Sequence, residues 1–60
     1  MIEKIAHIRI EDREYNLYIS YSYDTGILHA YKYDEYNIEY EWFANLLEFK
    51  YWVQKPIPKV

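Results

Sequence analysis

Cysteine is absent from this 60-residue chain, glycine occurs once and proline twice. No disulfide can form, which fits a reducing cytosol. One glycine cannot build a phosphate-binding loop of the P-loop type, which needs several. No apolar run is long enough to span a membrane. No basic segment followed by an apolar stretch opens the chain, so no signal peptide is expected.

Groups that could carry out chemistry are also scarce. The only serines, Ser20 and Ser22, lie within a predicted strand and have no histidine-and-acid arrangement nearby in sequence. A general acid needs a shielded pocket, which 60 residues hardly enclose. His7 and His29 could meet on adjacent strands, but a metal site would still need a third ligand. We therefore expect no enzyme, no cofactor and no metal.

Lysine and arginine are missing from residues 33–49, which contain five acidic residues. The whole chain has a formal net charge of −3. Nucleic-acid affinity rests mainly on basic side chains that neutralise phosphates. Tyr18, Tyr31 and Tyr33 could stack on bases, but such sites also need a positive groove. Direct binding of DNA or RNA is thus not expected, whereas the acidic block should attract a basic protein surface.

Aromatic side chains make up 22% of the residues, with nine tyrosines among them. A domain of this length buries only about 60% of the surface that its unfolded chain exposes. Without disulfides it needs a dense aromatic core, self-association or both. Tyrosine is also enriched in protein interfaces. We therefore expect a homodimer.

Three strands are predicted in the first half of the chain. Residues 5–10 alternate apolar and polar side chains, and residues 11–14 are all charged, which indicates a turn. Residues 15–23 show the clearest period of two. The only glycine, Gly26, favours a tight turn before a partner strand at 27–33.

A helix is predicted at 37–48, because apolar side chains recur three and four residues apart, at Ile38, Trp42, Leu46 and Phe49. Asn37 is the expected N-cap, with Glu39 and Glu41 in the first turn. Residues 49–54 return to an alternating pattern and predict a strand. Residues 55–60, with two prolines, predict an extended tail.

These elements predict a single α+β domain, a small antiparallel sheet of three to four strands with one amphipathic helix packed on one face. Its acidic block would present carboxylates at Asp34, Glu35, Glu39, Glu41 and Glu48. Side chains three or four apart on a helix are about 5–6 Å apart, a step comparable to that between phosphates along a nucleic-acid strand. The block could therefore imitate DNA, or it could simply be the solvated face of the helix.

The sequence resembles the small uracil-DNA glycosylase inhibitors of protein-primed Bacillus phages. The similarity rests on Asp24-Thr25-Gly26, Tyr31-Lys32-Tyr33, Glu41-Trp42, and Lys50 and Lys55, over roughly residues 15–55. It implies a dimeric inhibitor that mimics DNA, whose acids imitate phosphates and whose apolar pocket receives the side chain that the glycosylase inserts into DNA. Lys32 and Phe43 stand where that family has acids.

The resemblance leads to a specific hypothesis. A phage-type inhibitor blocks host uracil-DNA glycosylase in the cytoplasm of the host by occupying its DNA-binding surface. Glu35, Glu39 and Glu41 would supply the charge. The apolar pocket or dimer contact would comprise Tyr31, Tyr33, Trp42, Phe43 and Leu46. The alternatives are a DNA-mimic inhibitor of another machine, such as an anti-CRISPR or anti-restriction protein, and a small acidic protein-interaction module.

Overall fold

The computed structural model describes residues 1–58, which form four strands and one helix. The strands are β1 (Ile2–Ile10), β2 (Arg13–Ser22), β3 (Ile27–Tyr33) and β4 (Ile38–Phe43), and the helix is α1 (Leu46–Trp52). The strands make one antiparallel sheet in the order β1-β2-β3-β4. The short helix packs on one face of this sheet, so the predicted α+β fold class is confirmed. No helix within residues 1–58 is long and apolar enough to cross a membrane.

The three predicted strands of the first half are confirmed with small shifts. The first begins at Ile2, the second runs from Arg13 to Ser22, and the third has the predicted bounds. Glu11 and Asp12 form the first turn, in which Glu11 has a φ of 52°. Gly26 has a φ of 70°, a conformation that glycine adopts without steric cost. Its N–H closes the second turn on the carbonyl of Ser22 at 2.8 Å.

The core lies between the sheet and α1. Alternate strand residues point toward the helix, because successive side chains of a strand face opposite sides. Buried members of the core cluster are Leu17, Leu28, Ala30 and Phe43. The helix contributes Phe49, Trp52 and Val53, which lie three and four residues apart and so share one face.

The predicted helix at 37–48 is wrong, because the structure has β4 at Ile38–Phe43 and starts α1 at Leu46. The sequence of residues 38–43 is compatible with helical spacing and also with the period of two of a strand. The pairing of Tyr33 with Ile38 closes a β3–β4 hairpin, and β4 satisfies the hydrogen-bonding edge that β3 would otherwise expose. A period of two also runs through the segment, with Ile38, Tyr40 and Trp42 on one side.

The predicted strand at 49–54 is wrong for a related reason. Asn45, not Asn37, is the N-cap, and its side-chain Oδ1 accepts a hydrogen bond from the N–H of Leu47 at 2.8 Å. With that cap, Phe49 and Trp52 lie on the core-facing side of a helix, whereas Tyr51 is exposed. Phe43 and Trp52 rings then meet at a centroid distance of 5.4 Å.

The predicted extended tail at 55–60 packs against the domain at Ile57. Residues 56–58 have no regular structure, but Ile57 is buried beside Ile10 and Tyr15. The N–H of Ile57 donates to the hydroxyl of Tyr15 at 3.2 Å, and Nη1 of Arg13 donates to the Ile57 carbonyl at 2.9 Å. The tail therefore covers one end of the core. Lys59 and Val60 lie outside the described residues.

The position of the helix start can be tested with two asparagine variants. Asn45→Ala should lower the free energy of unfolding by about 1 kcal/mol, the usual cost of losing an N-cap. Asn37→Ala should leave it almost unchanged, because Asn37 lies in the β3–β4 loop. Urea unfolding followed by circular dichroism measures both. A larger loss for Asn37→Ala would contradict the structure and restore the helix at 37–48.

Candidate protein-binding face

The sheet face opposite α1, which we call the open face, is covered by no other element of residues 1–58. The strand registers place on it alternate residues of every strand. Its central part consists of Ile5, Tyr18, His29, Tyr31, Tyr33, Ile38, Tyr40 and Trp42. A sheet face of this composition is unusual for a surface in water, where large apolar patches commonly mark interaction sites.

Three tyrosines form a continuous row across the open face. Tyr18, Tyr31 and Tyr40 are register neighbours on β2, β3 and β4. Their ring centroids are 5.6 Å apart from Tyr18 to Tyr31 and 5.1 Å from Tyr31 to Tyr40. These are contact distances for aromatic pairs. The row therefore holds its rings in place before any partner arrives, which limits the entropy lost on binding.

A shallow depression of about 410 Å³ lies beside this row. Tyr18, Tyr31, Tyr33 and Ile38 line it. Its size and apolar lining suit one or two side chains of a partner. The polar atoms at its rim are phenol hydroxyls, and burial, together with the neighbouring carboxylate of Glu3, raises the pKa of Tyr18. Tyr18 thus remains a neutral hydrogen-bonding group at physiological pH.

His29 and Trp42 extend the open face toward its β4 end. The ring of His29 stacks on Tyr40 at a centroid distance of 5.9 Å, and its Nδ1 is hydrogen-bonded to the Tyr40 hydroxyl. Trp42, the register neighbour of His29, is 55% exposed. A large exposed indole next to a fixed ring pair has the character of an interface anchor.

Lys32 lies between two open-face tyrosines in sequence but points to the opposite side of the sheet. Its side chain is fully buried, and its Nζ donates to the carbonyl of Trp52 at 2.9 Å and to the carbonyl of Lys55. The ammonium also lies 4.3 Å from the centre of the Trp52 ring. Lys32 therefore adds no positive charge to the open face.

Burial lowers the pKa of Lys32, and the nearby carboxylate of Glu39 partly offsets this effect. Glu39 Oε1 lies 3.5 Å from the ammonium. The cation also sits at the C-terminal end of α1, where the helix dipole favours positive charge. The ammonium thus joins the sheet, the helix end and the start of the tail.

The acids that were expected to imitate phosphates lie in three different settings. Glu39 and Glu41 are two residues apart on β4, a separation of about 6.5 Å along the strand. Both lie at the sheet edge and face the side that carries the helix. Glu39 is engaged with Lys32, whereas Glu41 is exposed. Glu35 is exposed in the β3–β4 loop. Within residues 1–58, no ion pair involves Glu35 or Glu41, so these two acids are available to a partner.

The predicted apolar pocket is divided between the two faces of the sheet. Tyr31, Tyr33 and Trp42 lie on the open face, whereas Phe43 is buried in the core. Leu46 is exposed at the start of α1. Sequence reasoning missed the contributions of Tyr40 and Ile38 to the open face. The alternation of apolar and acidic residues from 38 to 42 was the signal that could have revealed them.

Asp34 shapes the loop that carries Glu35. Its Oδ1 accepts hydrogen bonds from the N–H groups of Tyr36 and Asn37 at 2.9 and 2.8 Å. Its Oδ2 pairs with Nη2 of Arg13 at 3.1 Å. The two backbone donors, reinforced by Arg13, lower the pKa of Asp34. This acid therefore has a structural role in the hairpin.

No protein-family model matches this chain, and comparison with curated proteins and with solved structures finds no significant similarity.

Replacing the buried ammonium tests its role as an anchor. Lys32→Met keeps most of the apolar stem but leaves two backbone carbonyls without their donor. We expect the free energy of unfolding to fall by about 2 kcal/mol, the usual cost of buried groups that lose a partner. Lys50→Met, at an exposed helix position, is the control and should change little. Equal urea midpoints for the two variants would show that the buried ammonium of Lys32 does not stabilise the fold.

The lowered pKa of Asp34 predicts how acid affects stability. Its carboxylate is stabilised in the folded state, so its contribution is complete above the unfolded pKa of about 3.9 and is lost as pH falls through the folded value. Asp34→Asn keeps an oxygen for the two N–H groups but cannot titrate. Between pH 6 and pH 2 this variant should lose less stability than the wild type. Parallel profiles for Asp34→Asn and wild type would contradict the assignment.

Proposed function

We propose that this protein is a non-catalytic inhibitor that binds a DNA-binding enzyme through the β3–β4 half of the open face. The observation that supports this most is the uncovered row of aromatic rings beside an acidic strand edge. On this half of the face the open-face residues are Ile27, His29, Tyr31, Tyr33, Ile38, Tyr40 and Trp42. None of them is a lysine or arginine, which disfavours phosphate as the ligand.

The rings and the acids would have separate roles in binding. Affinity in protein interfaces is concentrated in a few desolvated anchors, among which tryptophan and tyrosine are enriched. Tyr31 and Tyr40 fit that role because their rings are already in contact, and Trp42 lies on the same face of β4 as Tyr40. Glu35 and Glu41 lie near the β4 side of this surface, where they would steer a basic partner and make association sensitive to salt.

A DNA-binding enzyme offers the complementary chemistry. Its binding cleft combines basic side chains, which normally hold phosphates, with apolar groups that contact bases. Occupation of that cleft would inhibit the enzyme by competition, without any chemical step. The resemblance in sequence supplies a specific target, host uracil-DNA glycosylase, and a host-cell cytoplasmic location. A CRISPR effector or a restriction enzyme would fit the same surface chemistry.

Titration of the protein into a uracil-excision assay with a bacterial uracil-DNA glycosylase tests this proposal. We expect stoichiometric inhibition that weakens as salt is raised. Trp42→Ala should weaken inhibition by roughly 30-fold, the effect of losing an anchor worth about 2 kcal/mol. Tyr51→Ala is the matched control, because Tyr51 is 59% exposed on α1 and Trp42 is 55% exposed on the open face.

The outcomes distinguish a wrong target enzyme from a wrong binding surface. Full glycosylase activity at a large excess of protein would reject this target, and the same titration against a CRISPR effector and a restriction enzyme would follow. Inhibition that Trp42→Ala leaves intact, while Tyr51→Ala abolishes it, would reject the open face and point to the helix.

A further inference from the structure

The outer edge of β1 is a long strand edge without a neighbour within residues 1–58. β1 is the first strand in the sheet order, and its nine residues pair with β2 in an unbroken register. It contains no proline and no bulge, two of the devices that protect an edge strand. Its exposed residues include Ile5, which is 65% exposed. Such an edge is a template for pairing with another strand.

We propose that β1 of a second copy pairs antiparallel with this edge, about a two-fold axis at Ala6. In this arrangement position 2 lies opposite position 10, position 3 opposite 9, position 4 opposite 8, and position 5 opposite 7. All nine residues of β1 are then paired. Opposed positions are both odd-numbered or both even-numbered. The backbone N–H and C=O groups that point away from β2 in one copy therefore face the corresponding groups of the other copy.

The charges of β1 match this register. Glu3 of each copy lies opposite Arg9 of the other, so two cross-strand ion pairs form. Both residues are on the open-face side, and both are exposed in the single chain. Opposite charges directly across a strand pair stabilise the pairing, and like charges there destabilise it. On the helix side, Ile2 of each copy meets Ile10 of the other.

Other registers lose this match. A shift by two residues places Glu3 opposite His7, or it moves Glu3 beyond the end of the paired segment. A slip by one residue sets the open face of one copy beside the helix side of the other. The register centred on Ala6 is therefore the one that combines full pairing, opposite charges and faces of the same kind.

The resulting dimer would be one eight-stranded sheet with β1 strands at its centre. Both helices would lie on one side, and the two open faces would form one continuous surface on the other, with the Glu3–Arg9 pairs at its centre. The dimer supplies the additional stabilisation that a domain of this size needs. It uses a different surface from the β3–β4 half of the open face, so it does not depend on the identity of the target.

A cysteine crosslink tests the register. The chain has no cysteine, so one introduced by Ala6→Cys can pair only with its copy. Residues directly opposite each other in an antiparallel pair have Cα atoms about 4.5–5.5 Å apart, which suits a disulfide. Under mild oxidation we expect this variant to become a covalent dimer. In Lys4→Cys, on the same side of β1, the two copies of position 4 would be about 13 Å apart along the strands and should crosslink far more slowly.

A charge exchange tests the ion pairs in solution. Glu3→Arg alone and Arg9→Glu alone should each weaken dimerisation at least fivefold in sedimentation equilibrium, because like charges face each other twice. An equimolar mixture of the two variants should recover dimers, since the mixed pair has both opposite-charge contacts. Glu41→Arg, which makes the same charge change on β4, should dimerise like the wild type. Circular dichroism checks that each variant is folded.

Three results would overturn the proposal. These are a wild-type protein that stays monomeric at millimolar concentration, equal crosslinking rates for Ala6→Cys and Lys4→Cys, and a mixture that dimerises no better than either charge variant alone. Glycosylase inhibition plays no part in these measurements, so failure of the dimer and failure of the proposed function are distinguishable.

Discussion

The buried ammonium of Lys32 determines which face of the sheet is covered. Its hydrogen bonds to the carbonyls of Trp52 and Lys55 connect β3 to the end of α1 and to the tail. An ammonium group cannot remain buried without such partners, because an unpaired charge in the interior is very costly. The helix and the tail are therefore held on this side of the sheet, and the other side stays open.

The open face follows directly from this constraint. Seven residues of helix and a short tail are enough to cover one side of a four-stranded sheet, and no other element of residues 1–58 covers the second. Tyrosine and tryptophan suit that second side, because their rings pack against neighbours while their polar atoms reach water or a partner. Four of the ten acidic residues lie at the β4 edge and in the β3–β4 loop: Asp34, Glu35, Glu39 and Glu41. An uncovered aromatic face is thus a consequence of how this small core is built.

The first half of the fold could be predicted from the sequence, whereas the second half could not. The hairpin from β2 to β3 is clear because its alternation is regular and its turn contains the only glycine. Residues 38–49 satisfy helical and strand spacing at once, so local pattern could not decide between them. The decision depends on β3, whose outer edge needs a strand partner, and on Asn45, whose cap starts the helix. The first is a tertiary effect that a window of sequence does not contain. The second is a local hydrogen bond between Asn45 and Leu47, which begins the helix after β4.

The candidate site was predictable to a similar extent. Tyr31, Tyr33 and Trp42 were chosen correctly as residues of one surface, whereas Phe43 belongs to the core because β4 is a strand. The role of Lys32 was hidden, although its place between two surface tyrosines already put it on the opposite side of a strand. The sequence could not show that two backbone carbonyls lie there as hydrogen-bond acceptors for its ammonium group.

The two tryptophans provide the most direct test, because each reports on one face of the sheet. In a 15N-labelled sample transferred to D2O, we expect slow exchange of the Trp52 indole N–H, which is buried in the structure. We expect the Trp42 indole N–H to exchange within the dead time. Rapid exchange at Trp52 would mean that the helix does not cover its side of the sheet. Protection at Trp42 in dilute protein would mean that the open face is covered.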